Sequence, residues 1–115
     1  MPILFRWLSK EFATSAQVSP ADMAEVAAQG FRTVINNRPD GEGGPDQPTD
    51  ARIGEAARAA GLHYVYLPVI PGRVTPGQVA EMAQALKDSP GPVFGFCRSG
   101  SRTEALFHMA TSPAR

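Results

Sequence analysis

A regular alternation of short apolar segments with longer amphipathic segments constrains the fold of this chain more than any other feature. Crossovers of helix length between strands are typical of parallel sheets that helices cover on both faces. The sequence therefore predicts a three-layer α/β fold, in which helices flank a mostly parallel twisted sheet of about four to five strands. The predicted strands cover residues 3–8, 12–17, 31–36, 63–69 and 92–96, and the first two form a hairpin-like edge.

Helix-capping patterns mark where two of the helices begin. Ser19-Pro20 followed by Asp22, and Thr75-Pro76 followed by Gln78, each combine a capping residue, a proline at the first helical position and a side chain that reaches back. Two more helices are predicted over residues 48–60 and from 102 to about 111. Because the chain ends soon afterwards, we expect a frayed or truncated C-terminus.

The last predicted strand runs directly into Cys97, the single cysteine of the chain, and a helix begins at Arg102 or Thr103. Backbone N–H groups in the first turn of a helix have no intrahelical partner, and the helix dipole adds positive charge there. A curled loop can turn such amides onto a thiolate or an oxyanion, and Arg102 would add a planar two-pronged donor. The predicted anion-binding residues of this loop are Arg98, Ser99, Gly100, Ser101 and Thr103.

Two interpretations of Cys97 compete. A lone cysteine is most often a small buried hydrophobic residue. The preceding strand, the glycine and the two arginines around Cys97 instead favour a catalytic nucleophile, and we take it as one.

Three loops are expected to meet around Cys97, because ligands of parallel sheets bind beyond the carboxyl ends of the strands. These loops cover residues 37–46, 69–74 and 97–102. The first two bring Arg38 and Arg73 as sources of positive field. They also bring Asp40 and Glu42, either of which would be a general acid, although Asp40 serves equally well as a turn residue.

Composition limits the classes of partner. The 115 residues predict a single domain over residues 1–115, and 11 basic against 11 acidic residues give no reason to expect nucleic acid or a membrane surface. No segment has the length of a membrane span or the pattern of a secretory signal, so a cytoplasmic protein is expected. One cysteine excludes an internal disulfide, and neither a metal nor a cofactor is predicted. Trp7, His63 and His108 are interpreted as structural or surface residues.

The segment 96–102, Phe-Cys-Arg-Ser-Gly-Ser-Arg, resembles the active-site loop shared by rhodaneses and cysteine-dependent phosphatases. Together with the segment 34–42, Val-Ile-Asn-Asn-Arg-Pro-Asp-Gly-Glu, it resembles the phosphatase-like domain of beta-lactamase-hydrolase-like proteins. This resemblance covers nearly the whole chain. It implies a tyrosine or dual-specificity phosphatase fold, a small anionic substrate and a metallo-hydrolase domain as a partner.

The sequence departs from the tyrosine phosphatase pattern in three ways. Four residues separate Cys97 from Arg102 where that family has five, and Phe96 stands where that family has histidine. Residues 69–74, where that family places its general acid, contain no carboxylate.

Three functions remain open from the sequence. The first is a hydrolase in which the Cys97 thiolate attacks phosphorus, Arg102 and the loop amides stabilise the oxygens, and Asp40 protonates the leaving group. The second is a rhodanese-like sulfurtransferase that carries a persulfide on Cys97. The third is a non-catalytic anion-binding regulatory module.

Overall fold

The computed structural model describes residues 3–112, and its centre is a five-stranded sheet. The strands are β1 (Arg6–Trp7), β2 (Phe12–Ser15), β3 (Thr33–Asn36), β4 (His63–Tyr66) and β5 (Val93–Phe96), in the spatial order β1-β2-β5-β3-β4. Only β1 and β2 pair antiparallel, as the predicted hairpin edge requires, and the other neighbours pair parallel. The predicted α/β class and mostly parallel sheet are therefore confirmed.

Over residues 3–112 the structure has four α-helices and one short 3-10 helix; three of the α-helices lie between strands, and the fourth follows the last strand. The 3-10 turn Pro20–Asp22 leads into the first α-helix, and the α-helices are α1 (Met23–Ala28), α2 (Asp50–Ala59), α3 (Pro76–Asp88) and α4 (Ser101–Thr111). The Thr75 and Gln78 capping box begins α3, as predicted. Within residues 3–112, none of the helices is long and apolar enough to cross a membrane.

Two apolar cores lie on opposite faces of the sheet because neighbouring strand residues point to opposite sides. Ala13 and Val34 belong to the core beneath α1 and α2, whereas Phe12 and Ile35, one position away, belong to the core beneath α3 and α4. β5 lies between β2 and β3 and contributes to both cores. The strand that precedes Cys97 is therefore the central strand of the five and is buried at every position.

The observed strands are shorter than predicted, because their ends depend on contacts with other parts of the chain. The fourth strand ends at Tyr66, because Pro68 has no N–H to donate and the Val69 amide bonds to the Asn37 carbonyl, out of the register in which Tyr66 pairs with Asn36. The helix predicted from residue 48 starts at Asp50, because the Thr49 side chain caps it by accepting from the Arg52 amide at 3.3 Å. The fraying predicted at the C-terminus concerns residues beyond 112 and lies outside the described residues.

Trp7 anchors the sheet edge. Its ring stacks on Phe31 with centroids 5.2 Å apart and remains half exposed, as an edge position allows. The contact supports the structural role expected for this residue.

Candidate active site

Cys97 follows β5 at the carboxyl edge of the sheet, where β2, β3 and β4 also end. Its amide donates to the Ser15 carbonyl at 3.4 Å, and Arg98 accepts from the Gln17 amide at 3.2 Å. These two bonds continue the pairing with β2 past the end of both strands. The cysteine is buried, with 1% of its surface exposed.

The loop after Cys97 turns back on the sulfur at Gly100. Gly100 has a φ of +98°, a conformation that residues with a Cβ rarely adopt. This turn aims the Gly100 N–H at Cys97 Sγ, with a distance of 3.1 Å between nitrogen and sulfur. The Thr14 hydroxyl fixes the same turn from β2 by donating to the Gly100 carbonyl at 2.8 Å. The loop therefore turns an amide onto the sulfur, and its binding of an anion stays a prediction.

Hydrogen bonds to the sulfur favour the thiolate. Burial raises the pKa of Cys97, but hydrogen bonds from the Thr103 amide and hydroxyl and from the amides of Gly100 and Ser99 outweigh it, so that the pKa lies below its ordinary value. The Thr103 hydroxyl also donates to Asn37 Oδ1 at 2.9 Å. Because that hydroxyl has one proton, it serves one partner at a time, and we assign the lowering chiefly to the amides.

Arg102 lies in the first turn of α4, and two groups hold its guanidinium. Glu42 accepts from both terminal nitrogens, with Oε2 at 3.0 Å from Nη1 and Oε1 at 2.9 Å from Nη2. The Val69 carbonyl accepts from Nη1 at 2.9 Å. The three loops predicted to meet are thus joined at a single side chain.

One edge of the Arg102 guanidinium stays open. A guanidinium has five N–H donors, and the contacts with Glu42 and Val69 use both protons of Nη1 and one of Nη2. Nε is buried and has no hydrogen-bond partner among the described residues. A buried donor without a partner is costly, and a bound oxyanion would satisfy Nε and the remaining Nη2 proton together.

Arg38 supports Glu42 from the other side. Arg38 Nε donates to Glu42 Oε1 at 2.9 Å, and Arg38 Nη1 donates to the Gln17 side chain at 3.1 Å. Arg102 first, and then Arg38, hold the pKa of Glu42 below its usual range against the opposing effect of partial burial. Glu42 is therefore an ionised anchor for Arg102, and not a ready proton donor at neutral pH.

The Asp40 side chain contacts the first residue of α2 and is not part of the hydrogen-bond network of Arg38, Glu42 and Arg102. Its Oδ1 accepts from the Asp50 amide at 2.7 Å, and its own amide donates to the Tyr66 hydroxyl at 2.9 Å. These are the contacts of a turn residue, the second of the two roles considered from the sequence. The catalytic role considered for Asp40 stays a prediction with no contact in support.

Two clefts border the loop on the side of residues 69–74. One has a volume of about 630 Å³ and is lined by Arg38, Glu42, Gly43, Pro71, Arg98 and Arg102. The other has a volume of about 370 Å³, and Ser99, Ser101 and Val74 are among its lining residues. Ser99 and Ser101 are exposed, and their hydroxyl oxygens lie 2.8 Å apart.

Arg73 is exposed, and neither of these clefts includes it. Its amide closes a turn by donating to the Ile70 carbonyl at 3.0 Å. The structure therefore brings Arg38, Arg98 and Arg102 together but leaves Arg73 at the periphery.

Sequence reasoning missed Asn37, which is fully buried and follows β3 directly. Its side chain donates to the Leu67 carbonyl at 2.9 Å and accepts from Thr103, so it joins the ends of two strands to α4. A polar residue at the carboxyl end of a buried strand was the available signal.

The two histidines lie apart from Cys97. His63 is exposed in β4, and His108 is exposed on α4 near Glu104. Within residues 3–112, no three side chains of the metal-ligating types come together.

Comparison with known proteins places this site in a family. Residues 4–114 match the family model of the beta-lactamase hydrolase-like protein, phosphatase-like domain. A beta-lactamase hydrolase-like protein of Agrobacterium fabrum is 35% identical over 100 residues, which cover 87% of this chain and 23% of that relative. The chain thus spans about a quarter of the length of that relative.

Solved structures show the same fold. A phosphatase candidate from Neisseria meningitidis superposes with a TM-score of 0.82 at 31% identity, covering 93% of this chain and 74% of that one. P. aeruginosa TpbA, solved as a cysteine-to-serine variant with phosphotyrosine, superposes with a TM-score of 0.65 at 18% identity, covering 96% and 73%. The predicted tyrosine-phosphatase-like fold is confirmed. The chain belongs to the family of phosphatase-like domains found in beta-lactamase hydrolase-like proteins.

Proposed function

We propose that this domain is a cysteine-dependent phosphatase in which the Cys97 thiolate attacks the phosphorus of a phosphate monoester. The observation that carries the proposal is the Gly100 amide, which the left-handed turn holds 3.1 Å from Cys97 Sγ. Amides aimed at the sulfur favour the thiolate, which is the nucleophilic form. A thiolate in an amide-lined loop at a helix N-terminus is suited to an anionic substrate.

Arg102 stabilises the transferring phosphoryl group in this proposal. The open Nε edge offers two parallel donors, which match two oxygens of a phosphoryl group. Glu42 and Val69 fix the guanidinium before substrate arrives, so little reorganisation is needed when charge develops on those oxygens. Arg98, Ser99, Gly100, Ser101 and Thr103 supply the surrounding loop donors.

The reaction has two steps. In the first, the Cys97 sulfur forms a bond to phosphorus as the bond to the leaving-group oxygen breaks, and the leaving group departs with the electron pair. In the second, water attacks the phosphocysteine, the thiolate is released, and the water proton passes to the phosphate product or to solvent. Among solved relatives, TpbA with bound phosphotyrosine supports a phosphate ester as the substrate.

Hydrolysis of p-nitrophenyl phosphate by the wild-type domain and by Cys97→Ser tests the proposal. We expect phosphate release that vanadate inhibits, a phosphocysteine that can be trapped by rapid denaturation, and loss of both in the variant. A wild-type protein inert toward a panel of aryl phosphates, or a variant as active as wild type, would contradict it. Phosphate binding without turnover in both proteins would instead favour the regulatory module.

Sulfur transfer is the second candidate. It is favoured by the spacing of four residues between Cys97 and Arg102, because a loop of this length resembles the active-site loop of rhodaneses. Cys97 thiolate would take the outer sulfur of thiosulfate and release sulfite, and the resulting persulfide would then pass that sulfur to cyanide as thiocyanate. Mass spectrometry of Cys97 after thiosulfate treatment decides this case. An unchanged mass without thiocyanate formation would exclude this candidate.

A further inference from the structure

We infer that this domain acts on phosphate compounds whose leaving group departs as a stable anion, namely aryl phosphates, acyl phosphates and phosphoanhydrides, and acts poorly on alkyl phosphates. The inference rests on the proposed phosphatase function and names its substrate class. Its basis is the set of described side chains that line the clefts around the Cys97 loop, in which the one carboxylate, Glu42, is held by two arginines.

The clefts next to the loop contain one acidic side chain. Glu42 lines the cleft of about 630 Å³, and neither the cleft of about 370 Å³ nor a third one of about 290 Å³ beside Ser99 and Gly100 has an acidic or histidine residue among the described lining residues. The loop 69–74 likewise contains no carboxylate. A proton for the leaving group would therefore have to come from Glu42 or from outside these clefts.

Glu42 is committed to Arg102 and Arg38. Its two oxygens accept three hydrogen bonds of 2.9 to 3.0 Å from two guanidinium groups. A protonated Glu42 would place a hydrogen against these donors and would leave a guanidinium without its counter-charge. The acid form is thus disfavoured by the same contacts that hold Arg102 in place.

Asp40 is committed elsewhere. Its Oδ1 accepts from the Asp50 amide, which is the first residue of α2, and Asp40 lines none of the three clefts. To reach a leaving group in these clefts, the Asp40 side chain would have to leave this turn, because it lines none of them.

Leaving-group chemistry then selects the substrate. When phosphorus transfers to the Cys97 sulfur, the leaving oxygen keeps the electron pair of the broken bond. An alkoxide needs a proton at that moment, whereas a phenolate of low pKa, a carboxylate or a phosphate does not. Because a positioned acid contributes about 10²–10⁴-fold, its absence penalises alkyl phosphates and spares the other three classes.

The test measures kcat/KM, which reports phosphocysteine formation, for a series of aryl phosphates of increasing leaving-group pKa, together with acetyl phosphate, pyrophosphate and glycerol phosphate. We expect kcat/KM to fall steeply along the aryl series. We expect glycerol phosphate to react more slowly than p-nitrophenyl phosphate by more than the roughly 10²–10⁴-fold that an acid supplies. The values of kcat/KM for acetyl phosphate and pyrophosphate show whether the site accepts acyl phosphates and phosphoanhydrides as well as aryl phosphates.

Variants separate an acid from a positioning residue. Loss of an acid harms poor leaving groups more than good ones, whereas loss of a positioning residue harms all of them by the same factor. We expect Asp40→Asn to keep the slope of the aryl series and Glu42→Gln to lower the whole series in parallel.

Each outcome is decisive. A flat series for the wild type, or a slope that becomes steeper in either variant, would overturn the inference while leaving the phosphatase proposal intact. A wild type inert toward every member would overturn the phosphatase proposal itself, and the inference with it.

Discussion

Glu42 and Arg102 meet end-on through two hydrogen bonds of 3.0 and 2.9 Å, although 60 positions separate them in the chain. Both side chains are largely enclosed, with 23% and 10% of their surfaces exposed. The pair ties the loop after β3 to the first turn of α4. It also determines which edge of the guanidinium remains without a hydrogen-bond partner among the described residues.

Glu42→Gln should lower kcat/KM for p-nitrophenyl phosphate about 10- to 100-fold, mainly through kcat. A glutamine offers one acceptor where the carboxylate offers two and removes a charged hydrogen bond, which contributes about 1.5–3 kcal/mol. Steady-state kinetics measure the change. Glu104→Gln is the matched control, because Glu104 pairs with Arg6 on an exposed surface, and it should leave activity unchanged. Equal kinetics for Glu42→Gln and wild type would contradict the positioning role.

The stability effect of Glu42→Gln should depend on pH. Since the pKa of Glu42 is lowered in the folded state, chiefly by Arg102, its carboxylate stabilises the fold fully above the ordinary glutamate pKa of about 4.3 and loses that effect as pH falls through the lowered value. The difference in unfolding free energy between wild type and variant should therefore be largest near neutral pH and shrink in acid. Urea unfolding at several pH values measures it. A difference that grows on acidification would contradict the assignment.

The rate at which iodoacetamide alkylates Cys97 should reach half of its maximum at a pH below the ordinary cysteine pKa of about 8.5. The cause is the set of amides that outweigh burial and lower the pKa of Cys97. Gly100→Ala should raise this midpoint, since a Cβ there is strained at φ +98° and meets the Ser15 carbonyl at 3.4 Å. Gly61→Ala carries similar strain at φ +83° in open space after α2, so it should leave the midpoint unchanged. Identical midpoints in Gly100→Ala and wild type would rule out the amide explanation.

Gly95→Ala should destabilise the domain by about 1–3 kcal/mol, as overpacking of a core does. A Cβ at Gly95 would lie 2.7 Å from Phe12 Cζ and 2.8 Å from Thr103 Cγ2, between β5 and α4. Gly77→Ala, in the first turn of α3 with its nearest neighbour at 3.8 Å, should instead stabilise by about 0.4–1 kcal/mol. Thermal unfolding of both variants checks the pair. A Gly95→Ala protein as stable as wild type would show that the sheet yields more readily than these distances imply.

Local sequence patterns predicted most of the fold because each element carries its own signal. The Thr75 and Gln78 capping box, the short apolar segments of β2 and β3 and the strand leading to Cys97 all depend on residues within one segment. Element ends were predicted less well because they depend on partners elsewhere in the chain. β4, for example, ends where the Val69 amide bonds to the Asn37 carbonyl, one residue past the end of β3.

The site was likewise predicted only as far as it depends on the order of strands and loops, and not where it depends on contacts between distant side chains. Parallel topology brought the loops of Arg38, Glu42 and Arg102 together as predicted. Topology could not tell which carboxylate of the 37–46 loop would face Arg102, because the Tyr66 hydroxyl and the Asp50 amide hold Asp40 in its turn. A contact made through a distant hydroxyl leaves no pattern in the sequence around Asp40.

Asn37→Ala should lower stability and at the same time make Cys97 more reactive at low pH. The variant leaves the Leu67 carbonyl without its partner, at a cost of about 1–3 kcal/mol for that buried group, and it removes the oxygen that accepts the Thr103 hydroxyl proton. The freed Thr103 proton then serves the sulfur alone, so the alkylation midpoint of Cys97 should fall.

Thr33→Ala is the control for Asn37→Ala. It removes a 2.7 Å hydrogen bond to the Pro90 carbonyl at the other end of β3, so it should reduce stability without moving the alkylation midpoint. Urea unfolding and iodoacetamide kinetics on both variants separate the two effects. If the midpoint stayed fixed or rose in Asn37→Ala, the Thr103 hydroxyl would not be shared between Asn37 and the thiolate, and the pKa of Cys97 would depend on the loop amides alone.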